Sequence, residues 1–533
     1  MKQLPRCILC VLLILLMISS AAYGEDSEFL SGDFWCKKLK DGTIEIGYYN
    51  GSASELEIPA KINGKKVTSL GDRVFASARY LEKITIPGSV KRIGTEAFTG
   101  CVNLHTVKLT KGLESIGESA FSGCSALKGI VLPDSIVSIG SFAFANCYGI
   151  EDISIPKKVD SIGNNPFAGC TTIKLKVDSK NKAYAEIDGN LCSKKDKRLI
   201  SFFCNSGVTA YTIPKGIEYI ADHAFESCME LNSVVIPEYI KGIGDLAFSN
   251  CDNLTEVTLS EGLEAIGDNV FMGCVKLTSI SLPNSLAVIG ANPFAYTPVS
   301  NIVVSPENQN IAVIDGVLYS KTDKRLVCYP CVRDAEYYEI PDGIECIGDD
   351  AFYRCERLQE VSVPESVTSI GESAFEECKK LSEIVLPSGV TNLEERTFAG
   401  CRSLSNVILP ENLVSIGKQA FYYCPNIQTI IIPDRVEVIE EEAFSDCTNL
   451  MGINIPGSVT CIREWAFKNC KNMVAAVVPD SVTQIGEFAF DNCRNLTIYT
   501  QPGSMADKYA NHFGVPSDSM ELVEMIQQFI GGF

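Results

Sequence analysis

Histidine, tryptophan and basic charge are all scarce in this sequence. It contains three histidines and two tryptophans, and its 46 lysines and arginines stand against 66 aspartates and glutamates, which gives a formal net charge of −20. Nucleic acids and anionic membrane surfaces are bound through clustered Lys and Arg, so this balance predicts neither as a partner. It favours solubility and partners that are neutral or basic.

The motifs of enzymes and metal proteins are also lacking. His105, His223 and His512 are isolated from one another, and no pair of C-x-x-C motifs with zinc spacing is present. There is no nucleophile elbow, no phosphate-binding loop and no H-E-x-x-H sequence. The acidic runs 394–395 and 440–442 favour a hydrated surface over an acid–base pair. We therefore predict no enzyme activity, no catalytic residue, no cofactor and no bound metal.

One apolar run is long, and it lies at the N-terminus. Lys2 and Arg6 precede an apolar stretch from Cys7 to Ile18, and small residues lead to Gly24. This order is typical of a secretory signal peptide, here residues 1–24, whereas a membrane-spanning helix needs about 20 apolar residues. An uncleaved anchor is the alternative. The pattern predicts a secreted or cell-surface protein that has no membrane span once the signal peptide is removed.

An internal repeat dominates the rest of the chain. A phenylalanine, mostly preceded by a small residue, recurs every 23 residues in three blocks, and each of the two steps between blocks is 58 residues. Its positions are Phe75, Phe98, Phe121, Phe144, Phe167, Phe225, Phe248, Phe271, Phe294, Phe352, Phe375, Phe398, Phe421, Phe444, Phe467 and Phe490. A fixed period of this length indicates a solenoid, in which stacked coils share one core.

The repeating unit has the form L-x-x-V-x-L-P-x-x-V-x-x-I-G-x-x-A-F-x-x-C. Val107 and Leu109 alternate as on a β-strand, and the later Val-x-x-Ile pair predicts a second, shorter extended segment. The Gly-x-x-Ala-Phe segment predicts a tight turn of about one helical turn. Four coils replace its glycine, with Ala221, Glu394, Glu440 and Arg463. We therefore expect a turn that prefers glycine without requiring a positive φ.

The two 58-residue steps are copies of each other at an offset of 127 residues. Asp188-Gly189 in the first and Asp315-Gly316 in the second each lie between apolar segments. An Asp-Gly pair in that setting is a strong signal of a two-residue β-hairpin. We predict that both steps contain modified coils that carry a hairpin.

Cysteine is abundant, with 23 residues. Fourteen of them follow the repeat phenylalanine by three positions: Cys101, Cys124, Cys147, Cys170, Cys228, Cys251, Cys274, Cys355, Cys378, Cys401, Cys424, Cys447, Cys470 and Cys493. Stacked equivalents about 5 Å apart with parallel Cβ vectors suit the disulfide dihedral poorly. We predict buried free thiols, with disulfides as the alternative. The Cys328–Cys331 C-x-x-C sequence has no counterpart in the other copy, which favours a structural origin over a redox or disulfide role.

These residues closely resemble the BspA-like leucine-rich repeat family, which occurs mainly on the surfaces of bacteria and some protists. The resemblance runs from about Gly42 to Pro502, with an N-terminal cap around 41–67 and closing residues 503–510. It implies a right-handed solenoid and adhesion to host matrix proteins, to host cells or to other microbes. The family has no established catalytic residues, so none is carried over.

The resulting prediction is a β-rich leucine-rich-repeat solenoid with short strands, one-turn helical segments and two hairpin-bearing modified coils. Its parts are the signal peptide 1–24, the N-terminal cap and first coil 25–75, repeat block 1 at 76–167, modified coils at 168–224, repeat block 2 at 225–294, modified coils at 295–351, repeat block 3 at 352–502 and a C-terminal cap or tail helix at 503–533.

The predicted binding surface is the strand-lined face of the solenoid. The outward position between the last two apolar strand residues is apolar in three consecutive coils, at Val385, Ile408 and Ile431. An exposed apolar stripe often marks a contact site, although β-propensity alone also explains these residue types. We predict an adhesin-like protein that binds an extracellular protein or cell-surface ligand.

The alternative function is a structural surface-layer or self-associating protein. Its assembly would depend on a C-terminal amphipathic helix formed by Leu522, Met525, Ile526, Phe529 and Ile530. A simple cap on the last coil is the competing interpretation of the same residues.

Overall fold

The computed structural model of the protein describes residues 28–170, 173–203 and 207–519. The chain forms two compact units that meet in sequence between Pro166 and Phe167. The predicted signal peptide 1–24 and the predicted helix around 522–530 lie outside the described residues.

The first unit consists of thirteen described strands. They are β1 (Glu28–Ser31), β2 (Phe34–Lys38), β3 (Ile44–Tyr49), β4 (Glu55–Glu57), β5 (Lys61–Ile62), β6 (Lys65–Leu70), β7 (Lys83–Ile86), β8 (Arg92–Ile93), β9 (Thr106–Leu109), β10 (Ser115–Ile116), β11 (Ser138–Ile139), β12 (Asp152–Ile155) and β13 (Ser161–Ile162).

The second unit continues the pattern and ends in a helix. Its described strands are β14 (Lys174–Val177), β15 (Tyr184–Ile187), β16 (Asn190–Ser193), β17 (Arg198–Ser201), β18 (Ala210–Thr212), β19 (Tyr219–Ile220), β20 (Ser233–Ile236), β21 (Gly242–Ile243), β22 (Glu256–Leu259), β23 (Ala265–Ile266), β24 (Ser279–Leu282), β25 (Val288–Ile289), β26 (Asn301–Val304), β27 (Ile311–Ile314), β28 (Val317–Ser320), β29 (Arg325–Cys328), β30 (Tyr337–Glu339), β31 (Cys346–Ile347), β32 (Glu360–Ser362), β33 (Ser369–Ile370), β34 (Glu383–Val385), β35 (Asn392–Leu393), β36 (Asn406–Ile408), β37 (Ser415–Ile416), β38 (Val438–Ile439), β39 (Gly452–Asn454), β40 (Cys461–Ile462), β41 (Ala475–Val477), β42 (Gln484–Ile485), β43 (Thr497–Thr500) and β44 (Ser517–Ser519), with α1 (Met505–Phe513) between the last two.

Most ordinary coils contribute to two parallel sheets, as the two extended segments of the repeat predict. The long-strand sheets contain the three- or four-residue strands, for example β7 paired with β9. The short-strand sheets contain the two-residue Ser-Ile type strands, for example β8, β10 and β11. Pairs are in register at a spacing of one repeat, so Ile84 lies beside Val107 and Ile93 beside Ile116. The solenoid fold is thereby confirmed.

The expected one-turn helix is absent from the described coils, and this prediction is wrong. The segment instead contains two residues with positive φ in nearly every ordinary coil, such as Ser119 (φ 50°) and Gly123 (φ 72°), and consecutive turns closed by i→i+3 hydrogen bonds. The first of these positions even holds Phe142 and Trp465, which rarely adopt this conformation. Hydrogen bonds to the next coil stabilise it, as when Ser119 N–H donates to the Ser141 carbonyl at 2.9 Å.

The repeat glycine does not adopt a positive φ, in agreement with its replacement in four coils. Crowding explains why it is nevertheless preferred. A Cβ added at Gly267 would lie 2.3 Å from Asp245 Oδ1 and 2.8 Å from the Asp245 amide nitrogen. That same carboxylate accepts a hydrogen bond of 2.8 Å from the Asp268 N–H, so it cannot move away without losing a contact between coils.

We expect Gly267→Ala to destabilise the protein by about 1–3 kcal/mol, because the methyl group forces neighbouring coils apart. Gly457→Ala is the matched control, since its added Cβ would contact nothing within 4 Å. Thermal unfolding followed by circular dichroism measures both. An equal loss of stability in the two variants would contradict the crowding explanation.

The repeat phenylalanines and cysteines form two parallel columns in the core. Successive phenylalanine rings stack, with centroids 5.0 Å apart for Phe98 and Phe121 and 5.4 Å for Phe375 and Phe398. Eleven of the repeat thiols donate to the carbonyl of the phenylalanine in the preceding coil, as Cys401 Sγ does to Phe375 O at 3.1 Å. The cysteine therefore acts as a hydrogen-bond donor as well as a small apolar group.

The prediction of buried free thiols is confirmed for thirteen of the fourteen repeat positions, and the exception is Cys228, which is disulfide-bonded. Burial raises the pKa of Cys101 to about 11 and that of Cys447 to about 12. Buried thiols of high pKa react slowly with thiol reagents, because the thiolate is the nucleophile.

We therefore expect Ellman's reagent at pH 8 to label the native protein almost exclusively at Cys331 and Cys346, the half-buried free thiols among the described residues. In guanidinium chloride the repeat thiols become reactive. Mass spectrometry of the labelled peptides identifies the sites, and fast native labelling of Cys401 or Cys424 would contradict the buried ladder.

The two predicted hairpins are confirmed, and each belongs to one enlarged coil. Strands β15 and β16 pair antiparallel around Asp188-Gly189, and β27 and β28 do so around Asp315-Gly316. Phe202 and Tyr329 continue the ring column, stacking on Phe225 at 4.5 Å and Phe352 at 5.1 Å. Each 58-residue step thus contains one 35-residue coil and one ordinary 23-residue coil.

A half-buried carboxyl, that of Asp350, lies where block 3 follows the second enlarged coil. Asn269 Nδ2 donates to Asp350 Oδ2 at 3.0 Å, and Asn292 Nδ2 donates to the Asp350 carbonyl at 2.8 Å. Burial raises the pKa of Asp350 to about 6, which the Asn269 hydrogen bond only partly offsets. Because the folded pKa exceeds the unfolded one, the carboxyl opposes folding once it ionises, and stability falls as pH rises from about 4 to about 6.

We expect Asp350→Asn to remove this contribution while keeping an oxygen that accepts from Asn269. Above pH 6 the variant should unfold at a higher temperature than the wild type, and its free energy of unfolding should be greater by at most about 3 kcal/mol. Both differences should vanish below pH 4. Thermal melts between pH 4 and pH 8 test this. A difference that is constant across the range would show that ionisation of Asp350 is not responsible.

Candidate functional site

The three predicted binding residues project from the outer face of the long-strand sheet in block 3. Val385 and Ile408 are register partners in β34 and β36, and Leu386 N–H donates to the Ile408 carbonyl at 3.0 Å. Their flanking residues Ile384 and Leu386 point into the core. Val385 is 56% exposed and Ile408 is 51% exposed, so the alternation of the strand directs both outward.

Ile431 occupies the same repeat position one coil later, but it does not lie in a strand. Segment 428–432 has no ladder partner, and β36 is the last strand of its sheet. Ile430 and Ile432 remain buried, so the alternation persists without the ladder, and Ile431 is 84% exposed. We call Val385, Ile408 and Ile431 the apolar ridge.

Carboxylates border the apolar ridge on both sides. Glu360 and Glu383 are register partners at the start of their strands, and Glu411 and Asp434 follow the repeat proline of the next two coils. All four are exposed, and none of them forms an ion pair with another described residue. An apolar surface with an acidic border is complementary to a partner that surrounds its own apolar residues with Lys or Arg.

The first unit also contains an exposed apolar residue at this outward repeat position, and it was not among the predicted binding residues. Val131 is 82% exposed, and like Ile431 it lies in a segment without a strand. Its neighbours at the same repeat position are Lys108 and Ser154, so it stands alone. The repeat position was visible in the sequence, but the missing strand was not.

The acidic run 440–442 borders an open cavity of about 470 Å³. Two of its carboxylates are held by cations of neighbouring coils, with Glu441 3.2 Å from Lys418 and Glu440 3.7 Å from Arg463. Glu440 and Arg463 both replace the repeat glycine. The acids at 394–395 are fully on the surface. The geometry is that of a hydrated, ion-paired surface.

Cys328 and Cys331 are both free thiols in this structure. Burial raises the pKa of each, and Cys331 Sγ donates to the Thr297 carbonyl at 3.2 Å. A redox-active C-x-x-C requires a lowered thiol pKa, so the environment here favours the structural interpretation.

The histidines lie in separate places, and their contacts are local. His105 Nδ1 is 3.0 Å from Thr106 Oγ1, and His223 Nδ1 is 2.9 Å from Glu226 Oε2. Within residues 28–170, 173–203 and 207–519, no three His, Cys, Asp or Glu side chains come together in an arrangement that could hold a metal ion. In the same part of the chain, no helix has both the length and the apolar composition needed to cross a bilayer.

Comparison with protein families assigns the chain. Segments 46–183, 200–317, 327–451 and 414–522 match the BspA type leucine-rich repeat region. This protein belongs to the BspA-type leucine-rich repeat family. The match covers most of the chain, including both enlarged coils in part, and no curated protein of similar sequence was found.

Solved structures of other leucine-rich repeat proteins are similar to the chain. A leucine-rich cell surface protein from Faecalibacterium prausnitzii is 24% identical over 93% of this chain and 100% of its own, with a TM-score of 0.36. A leucine-rich repeat protein from Bacteroides ovatus is 23% identical over 94% and 99%, with a TM-score of 0.30. The pneumococcal vaccine antigen PcpA is 20% identical over 73% and 100%, with a TM-score of 0.44.

Proposed function

We propose that this BspA-type leucine-rich repeat protein is an extracellular adhesin-like protein that binds a protein partner through the apolar ridge. The observation that carries the proposal is the exposure of Val385, Ile408 and Ile431 at the same outward repeat position of three consecutive coils. Polar or weakly exposed residues occupy this position in the coils on either side, such as Ser362 and Asn454. A contiguous apolar surface of this kind is unusual outside binding sites.

The acidic border favours a different protein over a second copy of this chain. Symmetric pairing of two ridges would bring Glu360, Glu383, Glu411 and Asp434 of both copies together, and like charges at an interface oppose association. A partner with Lys or Arg around an apolar patch gains both contacts at once. The charge of −20 on the whole chain acts in the same direction.

The predicted signal peptide supports the extracellular location. The proposal assigns no catalytic role to any residue. Binding by a rigid scaffold requires only that the sheet face hold its side chains in place, which the stacked core beneath it does.

The test is binding of residues 25–533 to immobilised matrix proteins and to intact host and microbial cells, followed by the triple variant Val385→Thr, Ile408→Thr, Ile431→Thr. Thr keeps the β-branched shape and removes apolar surface, so we expect unchanged folding and a Kd raised about tenfold or more for the ligand that binds. Wild-type binding should tolerate salt, because the central contacts are apolar.

The matched control is Val288→Thr, Val303→Thr, Val474→Thr, which changes three exposed valines away from the ridge. Equal loss of binding in both triple variants would remove the ridge from the proposal. Absence of binding to every surface, together with concentration-dependent sedimentation, would replace the adhesin with the self-associating surface-layer protein.

A further inference from the structure

The N-terminal cap carries a cluster of positively charged lysines, whereas the chain as a whole has a net charge of −20. Lys38, Lys61, Lys65 and Lys66 are all exposed, and none of them forms an ion pair with another described residue. Other lysines of the first unit do have such partners, for example Lys83 with Glu55 at 2.6 Å. We call these four residues the lysine cluster.

Strand pairing brings the lysine cluster together around one hairpin. Strands β5 and β6 pair antiparallel across Asn63-Gly64, and the register places Lys61 directly opposite Lys66. Lys65 emerges on the other face, where desolvation and, after it, the neighbouring charge of Lys38 lower its pKa. Like charges on adjacent strands are destabilising unless an anion lies between them.

An open cleft of about 900 Å³ begins beside this hairpin. Its cations are Lys66, Lys91 and Arg92, and its hydroxyl groups belong to Thr43, Thr68, Ser69 and Ser89. Two carboxylates also face the cleft, and both accept hydrogen bonds from neighbouring residues. Asp41 accepts from the Thr43 N–H at 2.9 Å and from the Thr43 hydroxyl at 2.6 Å. Glu45 accepts from Ser69 Oγ at 2.6 Å. Lys91 and Arg92 contact Glu114 and Asp72 at the rim.

We propose that the N-terminal cap binds a linear anionic polysaccharide, whose sulfate or carboxylate groups contact the lysine cluster while its sugar hydroxyls bond to the cleft. The unpaired ammonium groups supply the charge. The hydroxyl side chains of the cleft already donate within the protein, and their oxygens supply acceptors for a hydroxyl-rich chain. Aromatic stacking platforms for bases, on which single-stranded nucleic acid binding depends, are absent from the residues that line the cleft. This site lies in the first unit and is independent of the apolar ridge.

The experiment measures binding of residues 25–533 to a fluorescent heparin-derived octasaccharide by anisotropy, at several salt concentrations. The variant carries Lys38→Gln, Lys61→Gln, Lys65→Gln and Lys66→Gln. The matched control carries Lys174→Gln, Lys176→Gln, Lys180→Gln and Lys182→Gln, which removes the same number of exposed lysines from the second unit. We expect saturable binding by the wild type and by the control, and a loss of affinity of about tenfold or more in the cluster variant.

The salt dependence gives a second readout that a folding defect would not reproduce. Each ammonium–anion contact releases about one counterion, so the slope of log affinity against log salt should become shallower by roughly three to four in the cluster variant. Hyaluronan and fully desulfated heparin as competitors distinguish carboxylate from sulfate as the bound group. Equal melting temperatures of the two variants show that both are folded.

Three outcomes would overturn the proposal. The first is no binding of the octasaccharide even at low salt, and the second is an equal loss of affinity in the cluster variant and the control. The third is tighter binding of a single-stranded oligonucleotide of the same charge, which would make nucleic acid the partner of the lysine cluster.

Discussion

Backbone hydrogen bonds between adjacent coils are the constraint on which the rest of this structure depends. In the turn, Phe98 N–H donates to the Ala120 carbonyl at 2.7 Å, and beside the short-strand sheet Gly117 N–H donates to the Ile93 carbonyl at 2.9 Å. Because these bonds recur at 23-residue spacing, every ordinary coil must have the same length and the same backbone path. The stacked rings, the thiol ladder and the crowded glycine are consequences of that equality.

The same constraint explains how the chain accommodates its two long insertions. A longer coil cannot shift the hydrogen-bond register without breaking contacts on both sides. The additional residues therefore leave the stack as a hairpin, and Phe202 and Tyr329 restore the ring column directly afterwards. Asn269 and Asn292 then bond to Asp350 in the coil that follows the enlarged one, which places a half-buried carboxyl where the insertion occurs.

Inward side chains must pack against those of the adjacent coils, so their residue types vary little. Chemical variety is therefore concentrated at the outward positions. Several residues of the apolar ridge and of the lysine cluster have buried neighbours along the chain, such as Ile384 beside Val385 and Val67 beside Lys66. Two sites of opposite character can therefore occur on one scaffold, one apolar with an acidic border and one basic. The net charge of −20 averages over them, which is why composition alone predicted neither nucleic acid nor an anionic membrane surface as a partner.

The sequence by itself determined the solenoid, the two strand segments of each coil, the hairpins at 188–189 and 315–316 and the outward direction of Val385, Ile408 and Ile431, because all of these follow from local spacing and side-chain alternation. Only the tertiary structure decided the positive φ of residues such as Ser119, the loss of the strand around Ile431, the thiol bonds to phenylalanine carbonyls, the pKa of Asp350 and the meeting of Lys38 with Lys65. Each of these features depends on which residue of the adjacent coil or strand lies in contact at that position. The sequence of a single chain does not show which residues form such contacts.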